Sequence, residues 1–181
     1  MDKRLDKERW IDAALRELAA EGVAAVKVER LAAKLEVTKG SFYWHFKDRS
    51  ALLEAMLETW RRRATHTIID EVEAKGGNAT ERLSTLFTIV SKLDGHIDRS
   101  IRAWAAHDGA ARRSLDEIDL RRLDYLTGLF REMSFGEAEA LARARLVYHA
   151  LIGQFAMGEK TGHADRLAEC LEIVHPMLVR R

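Results

Sequence analysis

The residues best equipped for chemistry lie in one short run, Thr38-Lys39-Gly40-Ser41-Phe42-Tyr43-Trp44-His45-Phe46-Lys47. No nucleophile–base pair, phosphate-cradling glycine loop or paired carboxylate motif accompanies it, so the chemistry on offer is recognition rather than bond making. Phe42 and Phe46 stand four residues apart and pack inward, which leaves Lys39, Gly40, Ser41, Tyr43, Trp44 and His45 for an outer face. Tyr43 and His45 can donate to phosphate oxygens or pack on sugars, and Lys39 and Lys47 bracket the segment with positive charge. Gly40 lets the start of a helix approach another backbone closely, and the positive end of that helix suits a phosphate. Without the surrounding pattern, Tyr43, Trp44 and His45 also fit a partly buried aromatic cluster.

A face of this kind needs a partner helix to set its angle. Residues 28–35 and 39–46, separated by a break at Glu36-Val37, supply the helix-turn-helix pattern, with Leu31, Leu35 and Val37 packing inward. The Thr38 hydroxyl is predicted to accept from an orphan amide of the second helix. Before the pair, Trp10, Ile11, Ala14, Leu15, Leu18 and Ala19 mark one face of a helix that stops at Gly22. After it, Asp48 caps a long helix predicted to run to about Ala74, where Gly76-Gly77 break it. Asn78 or Thr80 starts the next helix, carrying Leu83, Leu86, Phe87 and Val90. Helices over about 98–107, 115–133, 137–157 and 164–175 follow. Ser134 and Glu137 are expected to form a capping box, and Pro176 to end or bend the last helix. The reading is all-α, with about nine helices, no internal repeat and no low-complexity segment.

Composition agrees with a globular chain: 181 residues, 47% hydrophobic and 33% charged, with one proline. Net charge is only +1, but residues 1–63 carry 14 Lys/Arg against 11 Asp/Glu, so any basic face arises from placement. A sequence-nonspecific nucleic-acid binder would be more basic overall. The single cysteine, Cys170, reads as a small buried hydrophobe. No run approaches a membrane span and Met1-Asp2-Lys3-Arg4 leads into charge, so a cytoplasmic protein without membrane attachment is expected. His66, His96, His107, His149, His163 and His175 show no metal-ligand spacing, so neither a metal nor another cofactor is predicted.

One helix-turn-helix reads too few base pairs for useful affinity, which calls for a homodimer on paired half-sites. The helix over 137–157 has more apolar circumference than one core requires, and small residues on it permit close approach. Ala142, Leu146, Ala150 and Gly153, with Leu171 of the last helix, are the expected dimer face, arranged as a four-helix bundle.

The run 35–47 resembles the recognition helix of the TetR family of bacterial repressors, and Asp48-Arg49-Ser50-Ala51-Leu52-Leu53 resembles the start of that family's fourth helix. The resemblance covers about residues 7–60. It implies a helix-turn-helix DNA-binding domain at 1–48 and a helical effector-binding and dimerisation domain at 49–181, with 49–75 as the linking helix. It also implies a transcriptional regulator, a repressor and not an enzyme, that binds a double-stranded palindromic operator and is released by a small molecule. DNA contacts are assigned to Lys27, Val28, Thr38, Lys39, Gly40, Ser41, Tyr43, Trp44, His45 and Lys47. An effector pocket is assigned to Phe87, Trp104, Tyr125, Tyr148 and Phe155, with Arg102 and His107 as polar anchors; the same aromatics serve equally as core. Two positions depart from the family pattern: Glu36 replaces the usual turn glycine, and Lys27 the usual Ser or Thr cap. The competing reading is a helical enzyme or carrier that keeps a helix-turn-helix as scaffold.

Overall fold

A computed structural model describes residues 6–157 and 164–180, by backbone alone between 164 and 171. Every regular element is helical: α1 (Lys7–Glu21), α2 (Val28–Lys34), α3 (Lys39–Tyr43), α4 (Arg49–Arg61), α5 (Thr67–Lys75), α6 (Ala79–Val90), α7 (His96–Ala105), α8 (Gly109–Glu132), α9 (Glu137–Met157) and α10 (Ala164–Val179). Among the described residues the all-α expectation is met, and the nine predicted helices are recovered when α4 and α5 are read as one interrupted helix.

The chain divides into two compact units, residues 1–62 with 96–115 and residues 63–95 with 116–181. In the first, α1 packs against α2, α4 and α7. Trp10, Ala14 and Leu18 of α1 close over Leu31, Phe42, Leu52, Met56 and Ile101, all without solvent exposure. In the second, the core joins Leu83 and Phe87 of α6, Leu126, Leu129 and Phe130 of α8, Ala140, Ala144 and Tyr148 of α9, and Leu178 of α10.

Local signals set most boundaries. Asp48 caps α4 by accepting from the Ala51 amide at 2.9 Å. Asn78 and Glu81 exchange bonds across the start of α6, at 3.0 and 2.8 Å. Gly22, at φ +80°, ends α1.

Five expectations are corrected. The long fourth helix is interrupted by a π-helical turn, Arg62–His66. Its cause is a side chain in the ladder: Arg122 donates Nη2 to the Ala64 carbonyl at 3.1 Å and Nε to Thr65 Oγ1 at 3.0 Å. Pro176 does not end α10, which continues to Val179. Arg143 of α9 donates to the Met177, Leu178 and Arg180 carbonyls at 3.2, 2.6 and 3.3 Å, holding the turn beyond the proline. Ser134 closes α8 instead of opening α9. It sits at φ +68°, with its amide on the Arg131 carbonyl and the Phe135 amide on that of Phe130. This is a Schellman end, completed by the Phe130–Phe135 ring contact at 6.1 Å. Thr38 does occupy the N-cap of α3, but its side chain makes no capping bond; its carbonyl accepts from the Ser41 amide at 3.1 Å. The helical part of α3 ends at Tyr43, three residues short of Phe46.

Glu36 also closes a Schellman end, at φ +56°, with its amide on Ala33 and the Val37 amide on Ala32. A left-handed residue with a Cβ costs about 1–2 kcal/mol, and glycine returns part of that as unfolded-state entropy. Glu36→Gly should therefore raise stability by about 0.5–1 kcal/mol in urea denaturation, whereas Glu36→Ala should not. Equal gains from both substitutions would assign the effect to charge.

Candidate nucleic-acid interface and interior cavity

The recognition segment separates its aromatics by face. Phe42 and Phe46 are 0% and 3% exposed, while their neighbours Tyr43 and Trp44 stand 62% and 76% exposed. The Phe42 ring meets Trp10 edge-on at 5.3 Å and stacks on Phe46 at 5.2 Å, which locks the segment against α1. Lys27, Thr38, Lys39, Gly40 and Lys47 are exposed, and Val28, Ser41 and His45 are half-buried. A Cβ on Gly40 would make only ordinary contact, 3.6 Å from Thr38 Oγ1, so nothing within the chain requires glycine there. Lys39 pairs with Glu29 of α2 at 2.8 Å, and its hydrogen bond lowers the Glu29 pKa. A phosphate at Lys39 must displace that carboxylate.

Four residues that the sequence did not single out hold this geometry: Glu17, Arg30, Lys34 and Arg49. Glu17 of α1 is buried and pairs with Arg30 of α2 at 2.6 Å and with Lys34. Arg49, at the start of α4, donates to the Val26 and Val23 carbonyls at 2.6 and 2.7 Å, tying down the loop that enters α2. No periodic signal distinguishes these charges from solvated ones; their partners are 13 to 26 residues distant.

The second unit contains a cavity of about 170 Å³. Its wall includes Phe87, Tyr125, Tyr148 and Phe155 from the predicted set, together with Thr65, Ile68, Leu86, Val90, Arg122, Leu126, Val147 and Leu151. Arg102, Trp104 and His107 are not in that wall, because α7 belongs to the first unit and packs on α1. Arg102 pairs with Asp98 at 2.8 Å, and exposed His107 ends the turn after α7. The Trp104 indole donates to Asp108, whose carboxyl is held below its ordinary range by the Ala111 amide first and then by that indole and the Ala110 amide.

Residues 11–56 match the family described as bacterial regulatory proteins, tetR family. The transcriptional regulator SrpR of Pseudomonas putida is 41% identical over 51 residues, 28% of this chain and 24% of SrpR. The class G tetracycline repressor of Vibrio anguillarum is 37% identical over 71 residues, 39% of this chain and 34% of that protein. Residues 11–56 form an amino-terminal domain of the TetR family.

The matched stretches span between about a quarter and a third of those two relatives' lengths, and all of the helix-turn-helix lies within residues 11–56. The fold agreement extends further. NemR of Escherichia coli in its reduced form superposes with a TM-score of 0.75 at 17% identity, over 93% of this chain and 96% of NemR. FadR of Bacillus subtilis, solved with stearoyl-CoA, gives 0.72 at 18% identity over 96% of this chain and 98% of FadR.

The predicted dimer residues share one exposed stripe of α9: Ala142, Leu146, Ala150 and Gly153, continued by Met157. The Leu171 side chain lies outside the described residues. Ile173, Val174 and Met177 add exposed apolar surface on α10. Among the described residues no helix is long and apolar enough to cross a membrane.

Proposed function

We propose that this chain is a transcriptional repressor that binds paired DNA half-sites as a homodimer and lets go when a small molecule fills the cavity of its second unit. The observation that carries this reading is the segregation at α3, where Tyr43 and Trp44 stand in water beside Lys39 and Lys47 while Phe42 and Phe46 anchor the segment. Large aromatics in that position are suited to phosphate, sugar and base edges in a major groove. Lys27, Val28, Thr38, Gly40, Ser41 and His45 complete the proposed contact surface. Gly40, which the protein's own packing does not require, admits the close approach of a DNA backbone.

The exposed stripe of α9 and the apolar residues of α10 support dimerisation through a four-helix bundle, which sets two recognition segments on half-sites about 34–36 Å apart. FadR supports the effector part, since a relative of this fold holds a small molecule. A coupling of about 1–3 kcal/mol between cavity and DNA corresponds to a 5- to 150-fold change in operator affinity. The Arg62–His66 turn suits that coupling: Ala64 and Thr65 line the cavity, and the backbone passes between the two units at Arg62–Arg63.

The test is binding to duplexes selected from a random pool, across salt concentrations. Tyr43→Ala should weaken binding about tenfold, ~1.4 kcal/mol, with unchanged helicity and melting. Lys47→Ala should weaken all sequences alike and lower the salt slope by about 1. A wild-type chain that selects no duplex returns the molecule to the reading of a scaffold-only helix-turn-helix.

A further inference from the structure

We infer that the cavity takes a compact, uncharged apolar ligand of one or two fused rings, and not an anion-headed amphiphile; this rests on the proposal that the cavity is the effector site. Its wall is almost wholly carbon, contributed by Ile68, Leu86, Phe87, Val147, Leu151 and Phe155. The polar groups that reach it are directed at one another. Tyr125 donates its hydroxyl to Glu73 at 2.6 Å, and Tyr148 donates to Asp119 at 2.5 Å. Arg122 spends its guanidinium on Thr65, on the Ala64 carbonyl and, at 3.5 Å, on the Tyr148 oxygen.

Burial, followed by the Glu73 carboxylate, drives the Tyr125 pKa upward, and the Tyr125 hydroxyl together with Arg82 holds that of Glu73 down. The phenol therefore stays neutral and its proton stays committed to Glu73. A ligand carboxylate entering here would lose its hydration and have to compete with Asp119 and the turn at Ala64 and Thr65 for donors already in use. A neutral hydrocarbon disturbs none of these bonds. Size points the same way: at about 170 Å³ the cavity is close to the ~150 Å³ apolar cavity that stays dry and accepts benzene.

The experiment is calorimetric titration of the full chain with naphthalene, 1-naphthoate, toluene and stearate, paired with duplex binding in the presence of each. Naphthalene or toluene should bind at least tenfold more tightly than 1-naphthoate or stearate. Val147→Phe, which fills the cavity from α9, should abolish that binding. Should this variant fail to fold, Leu86→Ala provides the second arm, enlarging the space and shifting preference toward the larger hydrocarbon. Equal or tighter binding of 1-naphthoate or stearate overturns the proposed ligand class while leaving an effector site standing. Hydrocarbon binding without any change in duplex affinity keeps the class and overturns the effector reading. Failure of both naphthalene and toluene to bind the wild-type chain overturns the inference.

Discussion

Gly95→Ala should destabilise the second unit by roughly 2–5 kcal/mol, the largest loss expected from adding a single methyl group to this chain. Two costs combine. Gly95 lies at φ +68°, where a residue with a Cβ is disfavoured by about 1–2 kcal/mol. The new Cβ would also overlap the Phe155 ring at Cδ1 and Cγ and lie 2.9 Å from the Phe155 Cβ. Overpacking of that kind costs about 1–3 kcal/mol when neighbours must shift. Phe155 is buried and lines the cavity, so its displacement should also reduce ligand affinity. Urea denaturation of Gly95→Ala, Phe155→Ala and the double variant separates the two costs. In the Phe155→Ala background the glycine substitution should cost only its backbone share. An equal cost in both backgrounds would mean that the ring contact contributes nothing.

Arg122→Met should cost on the order of 2–4 kcal/mol and disconnect the proposed ligand binding from the proposed DNA release. The guanidinium supplies Thr65 Oγ1 and the Ala64 carbonyl with donors, and methionine of similar length supplies none. A buried carbonyl left without a partner carries its desolvation penalty, and the ladder then has reason to close into regular α-helix. Arg122 is thus a positioning residue. A merely structural role would lower the melting temperature and leave coupling intact. The proposed role lowers the melting temperature and also flattens the dependence of duplex affinity on ligand, with ligand still bound. Arg122→Lys, which keeps the charge but loses the forked geometry, should fall between the two. Unaltered coupling in Arg122→Met would remove the π turn from the mechanism.

The parts of the fold that could be read from the chain rest on interactions closed within a few residues. Asp48 and Asn78 cap helices because their acceptors meet amides three positions on. Phe42 and Phe46 face inward because helical spacing puts them on one side, and Tyr43 and Trp44 are left outside for the same reason. Where local signals admitted two outcomes, packing chose. Ser134-Phe135-Gly136-Glu137 suits a helix start, yet Phe135 against Phe130 makes Ser134 the end of α8. The interruption at Arg62–His66 answers to Arg122, 58 residues from Ala64. The passage of α10 beyond Pro176 is held by Arg143, 34 to 37 residues earlier.

The candidate site divides in the same way. The exposed residues of the recognition segment were legible, because exposure follows from periodicity once Phe42 and Phe46 are buried. Arg102, Trp104 and His107 were expected at the cavity and belong instead to the helix that packs on α1, while Arg122 and Gly95 carried no signal at all. An amphipathic stripe states that a helix has a buried side but not against which helix, since the hydrophobic effect is non-directional. The chain alone thus sufficed for an all-helical protein with a helix-turn-helix at residues 28–47 and for the TetR-family match of its amino-terminal domain. Which stripes meet, where a cavity remains between them and which charges close around it were decided only by the folded packing, where volume and hydrogen-bond partners distant in sequence must be satisfied together.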